Sequence, residues 1–170
     1  MRVLYERCCG LDVHRKTVVA CLITPRHREV RSFGTLTHEL LGLLDWLIEQ
    51  QVTHVAMESA GVYWKPLWNL LEGSGLELLL VNASHMKAVP GRKTDVKDAE
   101  WIADLLRHGL LKPSFVPCRE NRELRELVRY RRTIINSKSQ LLNRVQKVLE
   151  GANIKLTSVI SDISGKTGMA

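Results

Sequence analysis

The chain has 170 residues, of which 45% are hydrophobic and 25% are charged, and its formal net charge is +7. This is the size of one ordinary globular domain with a small appended piece, large enough to bury a core. No apolar run approaches the roughly 18 to 20 residues that span a membrane, and the first residues lack the pattern of a signal peptide. We therefore expect a cytoplasmic protein, and its positive charge favours a polyanionic partner such as nucleic acid.

The first part of the chain predicts three strands followed by a helix. Residues 8–14 and 17–24 are two runs rich in Val, Leu, Ile and Cys that are separated by Arg15 and Lys16, and residues 28–35 continue as a third strand. Thr37 then resembles the N-cap of a helix that continues to about residue 50. Its apolar face is predicted to be Leu40, Leu43, Leu44, Leu47 and Ile48.

The next elements alternate between strand and helix. Residues 54–57 predict a buried strand, a helix carries Trp64, Leu67, Trp68, Leu70 and Leu71, residues 76–81 predict another strand, and a helix starts near Asp95. The predicted sheet combines an antiparallel meander with parallel crossover strands. This is the element order of RNase H-like α/β folds, and we assign it to residues 1–117.

A second region carries one long helical pattern at residues 118–151, with residues 152–170 as the start of a truncated C-terminal region. Val128, Ile135, Leu142 and Leu149 recur every seven residues, which predicts a coiled coil. Nine cationic and four acidic side chains leave an excess of five positive charges (nine minus four). We expect this helix to form a homo-oligomer, a dimer or tetramer, and Arg129, Arg131 and Arg132 to contact phosphates; the alternative is a solvated coiled coil without nucleic acid.

Four acids stand at positions that suit a metal site. Asp95 and Asp98 are three residues apart and so share one helix face, while Asp12 and Glu58 lie at or near strand ends. Singly, each has an ordinary structural explanation: Asp12 could pair with Arg15 or Lys16, and the helix acids could favour the helix dipole. Together they provide what a two-metal phosphoryl-transfer site needs, with two ions about 3.5 to 4 Å apart.

Four segments resemble the DEDD transposases of the insertion-sequence-110 family: GLDVHRKTVVACLI, ESAGVYWKPLWNLLE, LVNASHMKAVPGRKTDVKDAEWIADLLRHGLL and ELRELVRYRRTII. The resemblance covers nearly the whole chain. It implies a RuvC-like domain in which Asp12, Glu58, Asp95 and Asp98 are the catalytic acids and bind Mg²⁺ or Mn²⁺, two ions in all. It also implies a DNA substrate, a structured bridge RNA as guide, and a separate C-terminal domain with a nucleophilic serine, which this chain lacks. We therefore expect residues 1–170 alone not to complete strand exchange.

Several other residues are weaker candidates. Lys93 and Lys97 could steer DNA toward the acids, and His14 projects from the same strand face as Asp12. Asn82, Ser84 and His85 follow a strand end and could contact nucleic acid. Tyr63, Trp64 and Trp68 could stack on bases, but the spacing of the two tryptophans favours a buried helix face. The four cysteines form no C-x-x-C pair, so we expect reduced, buried thiols rather than a zinc site or disulfides.

Two other functions remain open at this stage. One is a structure-selective endonuclease of the Holliday-junction resolvase type, which would cut DNA and release the ends. The other is a non-enzymatic module that binds nucleic acid and dimerises, in which the acids are only structural.

Overall fold

The computed structural model describes residues 2–59, 61–82, 98–160 and 165. The chain divides into two compact units, Met1–Val116 and Pro117–Ala170. In the first unit the described elements are β1 (Cys8–Val13), β2 (Thr17–Ile23), β3 (Arg28–Gly34), α1 (Thr37–Glu49), β4 (His54–Glu58), α2 (Trp64–Leu71), β5 (Glu77–Val81) and α3 (Asp98–Arg107). In the second they are α4 (Arg119–Gly151) and a 3₁₀ turn (Leu156–Ser158).

The five strands form one mixed sheet in the order β3-β2-β1-β4-β5. The first three strands are antiparallel neighbours, and β4 and β5 then add in parallel, β4 beside β1 and β5 beside β4. Each parallel strand is reached through a helix, as crossover connections require. The predicted RNase H-like sheet, an antiparallel meander extended by parallel strands, is confirmed.

Helices α1 and α2 pack on one face of this sheet and bury the larger core, which includes Leu11, Leu22, Leu43, Leu47, Met57 and Leu67. The predicted face of α1 is wrong at one edge, because Trp46 is buried while Ile48 is 53% exposed. The buried stripe is centred on Leu43 and Leu47, and at 100° per residue Ile48 falls on its outer flank. Thr37 is the first helical residue rather than the N-cap. The N-cap is Leu36, whose backbone N–H donates to the Glu39 carboxylate at 3.2 Å.

Helix α3 covers the opposite face and runs antiparallel to β1. Its residues Ala99 and Ala103 lie against Gly10, and the Arg107 carbonyl accepts the N–H groups of Leu4 and Tyr5 at 2.9 and 3.1 Å. Along α3 the residue numbers therefore increase in the direction in which the residue numbers of β1 decrease. The described helix thus has Asp98 at the end that lies toward the carboxyl end of β1.

The long helix α4 differs from the rest, since none of its 33 residues is buried. Its apolar side chains are open to solvent, including Leu127, Ile134, Leu141 and Val148. It includes Gly151, and Ala152 is its C-cap. Across the parts of the chain that the structure describes, no helix is both long and apolar enough to cross a membrane.

Candidate metal and nucleic-acid site

Two of the four predicted acids lie side by side at the carboxyl ends of β1 and β4. The parallel pairing of these strands ends with Leu11 opposite Met57, and Asp12 and Glu58 are the next residues in register. Neighbouring strands are about 4.8 Å apart, and alternation along a strand places both acids on the face of Gly10 and Ala56. This is the face that α3 covers.

Asp98 approaches the same end and face of the sheet on α3. A Cβ added to Gly10 would overlap the Ala99 carbonyl oxygen, so the helix backbone lies directly on β1 at this point. Asp98 precedes Ala99, and the antiparallel course of α3 carries it from Gly10 toward Asp12. The packing of α3 on β1 therefore places the half-buried Asp98 on the Asp12 side of Gly10.

The complete tetrad stays a prediction. Asp95, Lys93 and Lys97 lie outside the described residues, as do Thr94, Ser84 and His85. Within residues 2–59, 61–82 and 98–160, no three side chains of His, Cys, Asp or Glu are grouped closely enough to hold a metal ion. The described acids thus share one end of the sheet without forming a complete ligand set among themselves.

The closest partner of Asp12 is His14. The His14 Nε2 atom lies 2.9 Å from Asp12 Oδ2, and the side chains are 62% and 15% exposed, respectively. The prediction that these two residues share a strand face is confirmed by this contact. The alternative that Asp12 pairs with Arg15 or Lys16 is wrong, because both residues belong to the turn and the imidazole two residues after Asp12 occupies the near side of the carboxylate.

The turn that contains Arg15 and Lys16 is held by two hydrogen bonds. The His14 N–H donates to the Thr17 carbonyl at 2.9 Å, and the Thr35 hydroxyl donates to the Arg15 carbonyl at 3.1 Å. Both basic side chains are exposed, and neither has an ion pair in the described part of the chain. They are free to bind an anion from outside.

Near its carboxyl end, α3 forms an ion pair with the sheet, and the cysteines buried in the sheet have raised thiol pKa values. Arg28 of β3 forms an ion pair with Asp104, whose hydrogen bond raises the pKa of Arg28. Burial raises the pKa of Cys8 to about 12 and that of Cys21 to about 11, and raises the pKa of Cys9 well above its usual value. These three cysteines are buried, as predicted. Cys118, by contrast, is exposed.

Gly10 helps to shape the site, although the sequence patterns did not single it out. It allows the closest approach of α3 to the sheet, two residues before Asp12 on the same face. The available signal was a glycine inside an otherwise apolar strand, which often marks a place where another backbone comes close.

The remaining candidates divide between core and surface. Trp68 is buried and Trp64 meets it edge-on at 5.9 Å, so both belong to the core side of α2, while Tyr63 is 45% exposed. Asn82 is exposed after β5. On α4, Arg129, Arg131 and Arg132 are all exposed.

Comparison with known proteins places the chain among transposases. A model of the DEDD transposases of IS110, described as a transposase, matches residues 9–154. The putative transposase y4qE of Sinorhizobium fredii is 30% identical over 138 residues, which cover 78% of this chain and 35% of that protein. The transposase for insertion sequence element IS1533 of Leptospira borgpetersenii is 26% identical over 161 residues, covering 86% of this chain and 44% of that protein. The chain therefore spans less than half the length of these curated relatives.

Among solved structures, the chain is similar to RuvC of T. thermophilus in complex with a Holliday junction substrate. The TM-score is 0.43 at 15% sequence identity, covering 64% of this chain and 99% of that one. The family match, over residues 9–154, is more extensive than this 64%, and it includes Asp12, Glu58 and Asp98. On this match, the chain belongs to the DEDD transposase family of IS110.

Proposed function

We propose that this chain is the metal-binding part of a DNA transposase that cleaves and transfers DNA strands. The ligands of Mg²⁺ or Mn²⁺, two ions in all, are Asp12, Glu58, Asp95 and Asp98. The observation that carries the proposal is the register of β1, β4 and α3, which directs Asp12, Glu58 and Asp98 to one end and one face of the sheet. Open α/β sheets bind their ligands beyond the carboxyl ends of their strands.

The chemistry of these side chains fits a hard divalent cation. Carboxylate oxygens are the ligands that Mg²⁺ and Mn²⁺ prefer, and adjacent carboxylates repel each other unless a cation lies between them. When bound, such ions lower the pKa of an attacking hydroxyl and stabilise the charge that develops on the phosphate. The protein supplies the positions of the ligands through two rigid strands and a packed helix.

Two residues of this chain hold the site in shape. With Nε2 protonated, His14 donates to Asp12 Oδ2 and so orients the carboxylate that would hold the metal. Gly10 admits the backbone of α3 and thereby sets how near Asp98 comes to Asp12. Neither residue needs to contact the DNA for this role.

We assign α4 to assembly and to nucleic-acid binding, including a structured guide RNA. Between Leu127 and Leu149 it carries six cationic side chains and no acidic one: Arg129, Arg131, Arg132, Lys138, Arg144 and Lys147. Cationic side chains that neutralise phosphates release counterions and strengthen binding. The exposed apolar stripe on the same helix is of the kind that pairs with another helix in a coiled coil, which supports a homo-oligomer.

Calorimetric titration of Mn²⁺ and of Mg²⁺ tests the metal site. We expect the wild type to bind either ion, the Asp12→Asn variant to bind more weakly, and a double Asp95→Asn, Asp98→Asn variant to lose binding. Asp45→Asn is the matched control, because Asp45 is an exposed acid on α1, on the opposite face of the sheet. Equal affinity of the wild type and the double variant would refute the site, and DNA binding that needs no metal and no acid would favour the non-enzymatic module.

A further inference from the structure

A row of side chains leads across the sheet from Asp12 to the free edge. Asp12 is opposite Val19 on β2, and Val19 is opposite Ser32 on β3, so the three residues share one face. This is also the face of α3, but α3 contacts the sheet at Gly10 and Cys8, nearer the other end of β1. Ser32 is exposed and Val19 is half-buried.

The next row toward the β1–β2 turn contains small or polar groups, and the Glu39 carboxylate lies directly against Gly34 at its outer end. Thr17 is exposed and lies opposite Gly34 on β3. Immediately beyond this row the turn presents Arg15 and Lys16. The turn is held by the His14 N–H, which donates to the Thr17 carbonyl, and by the Thr35 hydroxyl, which donates to the Arg15 carbonyl. Thr17, Val19 and Ser32 thus form a shallow floor that has Asp12 and the His14 imidazole on its β1 side and the two basic groups of the turn at its border.

The charges at this border suit a phosphate chain. Arg15 is three residues from Asp12, at most about 11 Å along an extended chain, which is close to the Debye length of about 10 Å at 0.1 M salt. A polyanion bound at the turn thus remains within the electrostatic reach of the acids. Since His14, and not the turn, is the partner of Asp12, Arg15 and Lys16 are not engaged in neutralising that acid.

We infer that the Arg15–Lys16 turn and the floor formed by Thr17, Val19 and Ser32 bind the sugar-phosphate backbone of the DNA strand that enters the site at Asp12. This inference rests on the proposed function, because the position of Asp12 is what defines the strand as the one to be cut. The two basic side chains contact phosphates, and the small floor side chains allow the backbone to lie close to the sheet. Such contacts position a strand without reading its sequence.

The salt dependence of single-stranded DNA binding tests the inference on the full chain. Affinity for a labelled oligonucleotide is measured between about 50 and 200 mM salt without divalent metal, so the readout does not depend on cleavage. Each phosphate contact on a single strand contributes about 0.7 to the slope of log affinity against log salt. The double variant Arg15→Ala, Lys16→Ala is expected to lower the slope by about 1.4 and to retain the unfolding midpoint of the wild type.

Arg26 provides a matched control for charge alone. It is exposed in the turn between β2 and β3, at the opposite end of β2, and no ion pair of Arg26 occurs in the described residues. Arg26→Ala should leave the slope unchanged. A wild-type slope in the double variant, or an equal decrease in Arg26→Ala, would overturn the inference. Loss of affinity for a structured RNA with unchanged affinity for DNA would also overturn it.

Site-directed crosslinking separates this surface from the metal site. In a Cys118→Ser background, which removes the exposed thiol, a photoactivatable group is attached to Lys16→Cys or to Arg26→Cys. DNA should crosslink at position 16 and not at position 26, and the reverse pattern would refute the surface. If Asp12→Asn still binds Mn²⁺ as the wild type does while the crosslink forms at position 16, the metal assignment fails and the DNA-binding surface stands.

Discussion

The first unit buries its apolar side chains within itself, whereas the long helix leaves its own exposed. Leu43 on α1 is fully buried between helix and sheet, while Leu127 on α4 is 66% exposed. Both residues belong to helices with an apolar stripe, so helical periodicity alone does not distinguish them. The difference is the partner: α1 has a sheet to cover, and α4 meets no comparable surface in its own described unit.

This contrast assigns different tasks to the two regions. A closed core provides stability and holds Asp12, Glu58 and Asp98 on rigid elements. An exposed apolar stripe together with a basic surface is what our proposal of assembly and nucleic-acid binding by α4 requires. Substitutions should therefore affect folding in the first region and association in the second.

Truncation of a leucine in each region should give the largest difference. Leu43→Ala is expected to cost about 2 to 5 kcal/mol of unfolding free energy, because it leaves a cavity in the core. Leu127→Ala should cost less than about 0.5 kcal/mol in dilute monomer, since its side chain is already in water. Tryptophan fluorescence during urea unfolding measures the stability of the first unit selectively, because all four tryptophans lie in that unit.

The same pair of variants should behave in the opposite way in sedimentation. Leu127→Ala should weaken self-association at high protein concentration, and Leu43→Ala should not do so while it remains folded. A large loss of sheet stability in Leu127→Ala at low concentration would contradict the separation between the two regions.

A methyl group added at Gly10 should have the next largest effect on the free energy of unfolding. Gly10→Ala would place a Cβ 2.9 Å from the Cα of Ala103 and in conflict with its backbone nitrogen, so α3 must move. We expect a loss of about 1 to 3 kcal/mol in unfolding free energy, together with weaker Mn²⁺ binding, because Asp98 moves with the helix. Urea unfolding and calorimetry measure the two effects.

Gly42→Ala is the control for this substitution. Gly42 lies in α1 with no atom within 4 Å of its added Cβ, so alanine should stabilise the helix by about 0.5 to 1 kcal/mol. Equal effects at Gly10 and Gly42 would mean that the contact between α3 and β1 is looser than described.

The smallest and most local difference between the two regions should be the reactivity of their cysteine thiols. Cys118 precedes α4 and is exposed, whereas Cys8, Cys9 and Cys21 are buried in the sheet with raised pKa values. At mildly alkaline pH a disulfide reagent should modify one thiol quickly and three slowly, because the thiolate is the reacting form. Cys118→Ser should remove the fast phase, and a fast phase that persists in this variant would show that the sheet opens readily.

Much of the fold follows from local sequence patterns. The strands and helices of the first unit were predictable from apolar runs bounded by turns, and their order leads to the mixed sheet. The details that failed depend on tertiary contacts. Trp46 is buried in place of Ile48 partly because Arg31 of the neighbouring β3 lies over its ring at 4.8 Å, and no pattern within α1 contains that information.

The candidate site was predictable as a set of residues but not as an arrangement. Asp12 and Glu58 stand out at strand ends, yet only the parallel register of β1 and β4 makes them neighbours. The contact between His14 and Asp12 and the approach of α3 at Gly10 depend on side-chain orientation and backbone packing, which the sequence does not encode locally. Asp95 remains a prediction from sequence.

Paramagnetic broadening by Mn²⁺ tests the position of the metal site most directly. His14 Nε2 is 2.9 Å from Asp12 Oδ2, so an ion bound by Asp12 lies close to the His14 ring. His38 is exposed on α1, on the opposite face of the sheet, and serves as the internal reference. We predict that substoichiometric Mn²⁺ broadens the imidazole signals of His14 first and leaves those of His38 sharp; equal broadening of both, or none at His14, would contradict a metal site at Asp12.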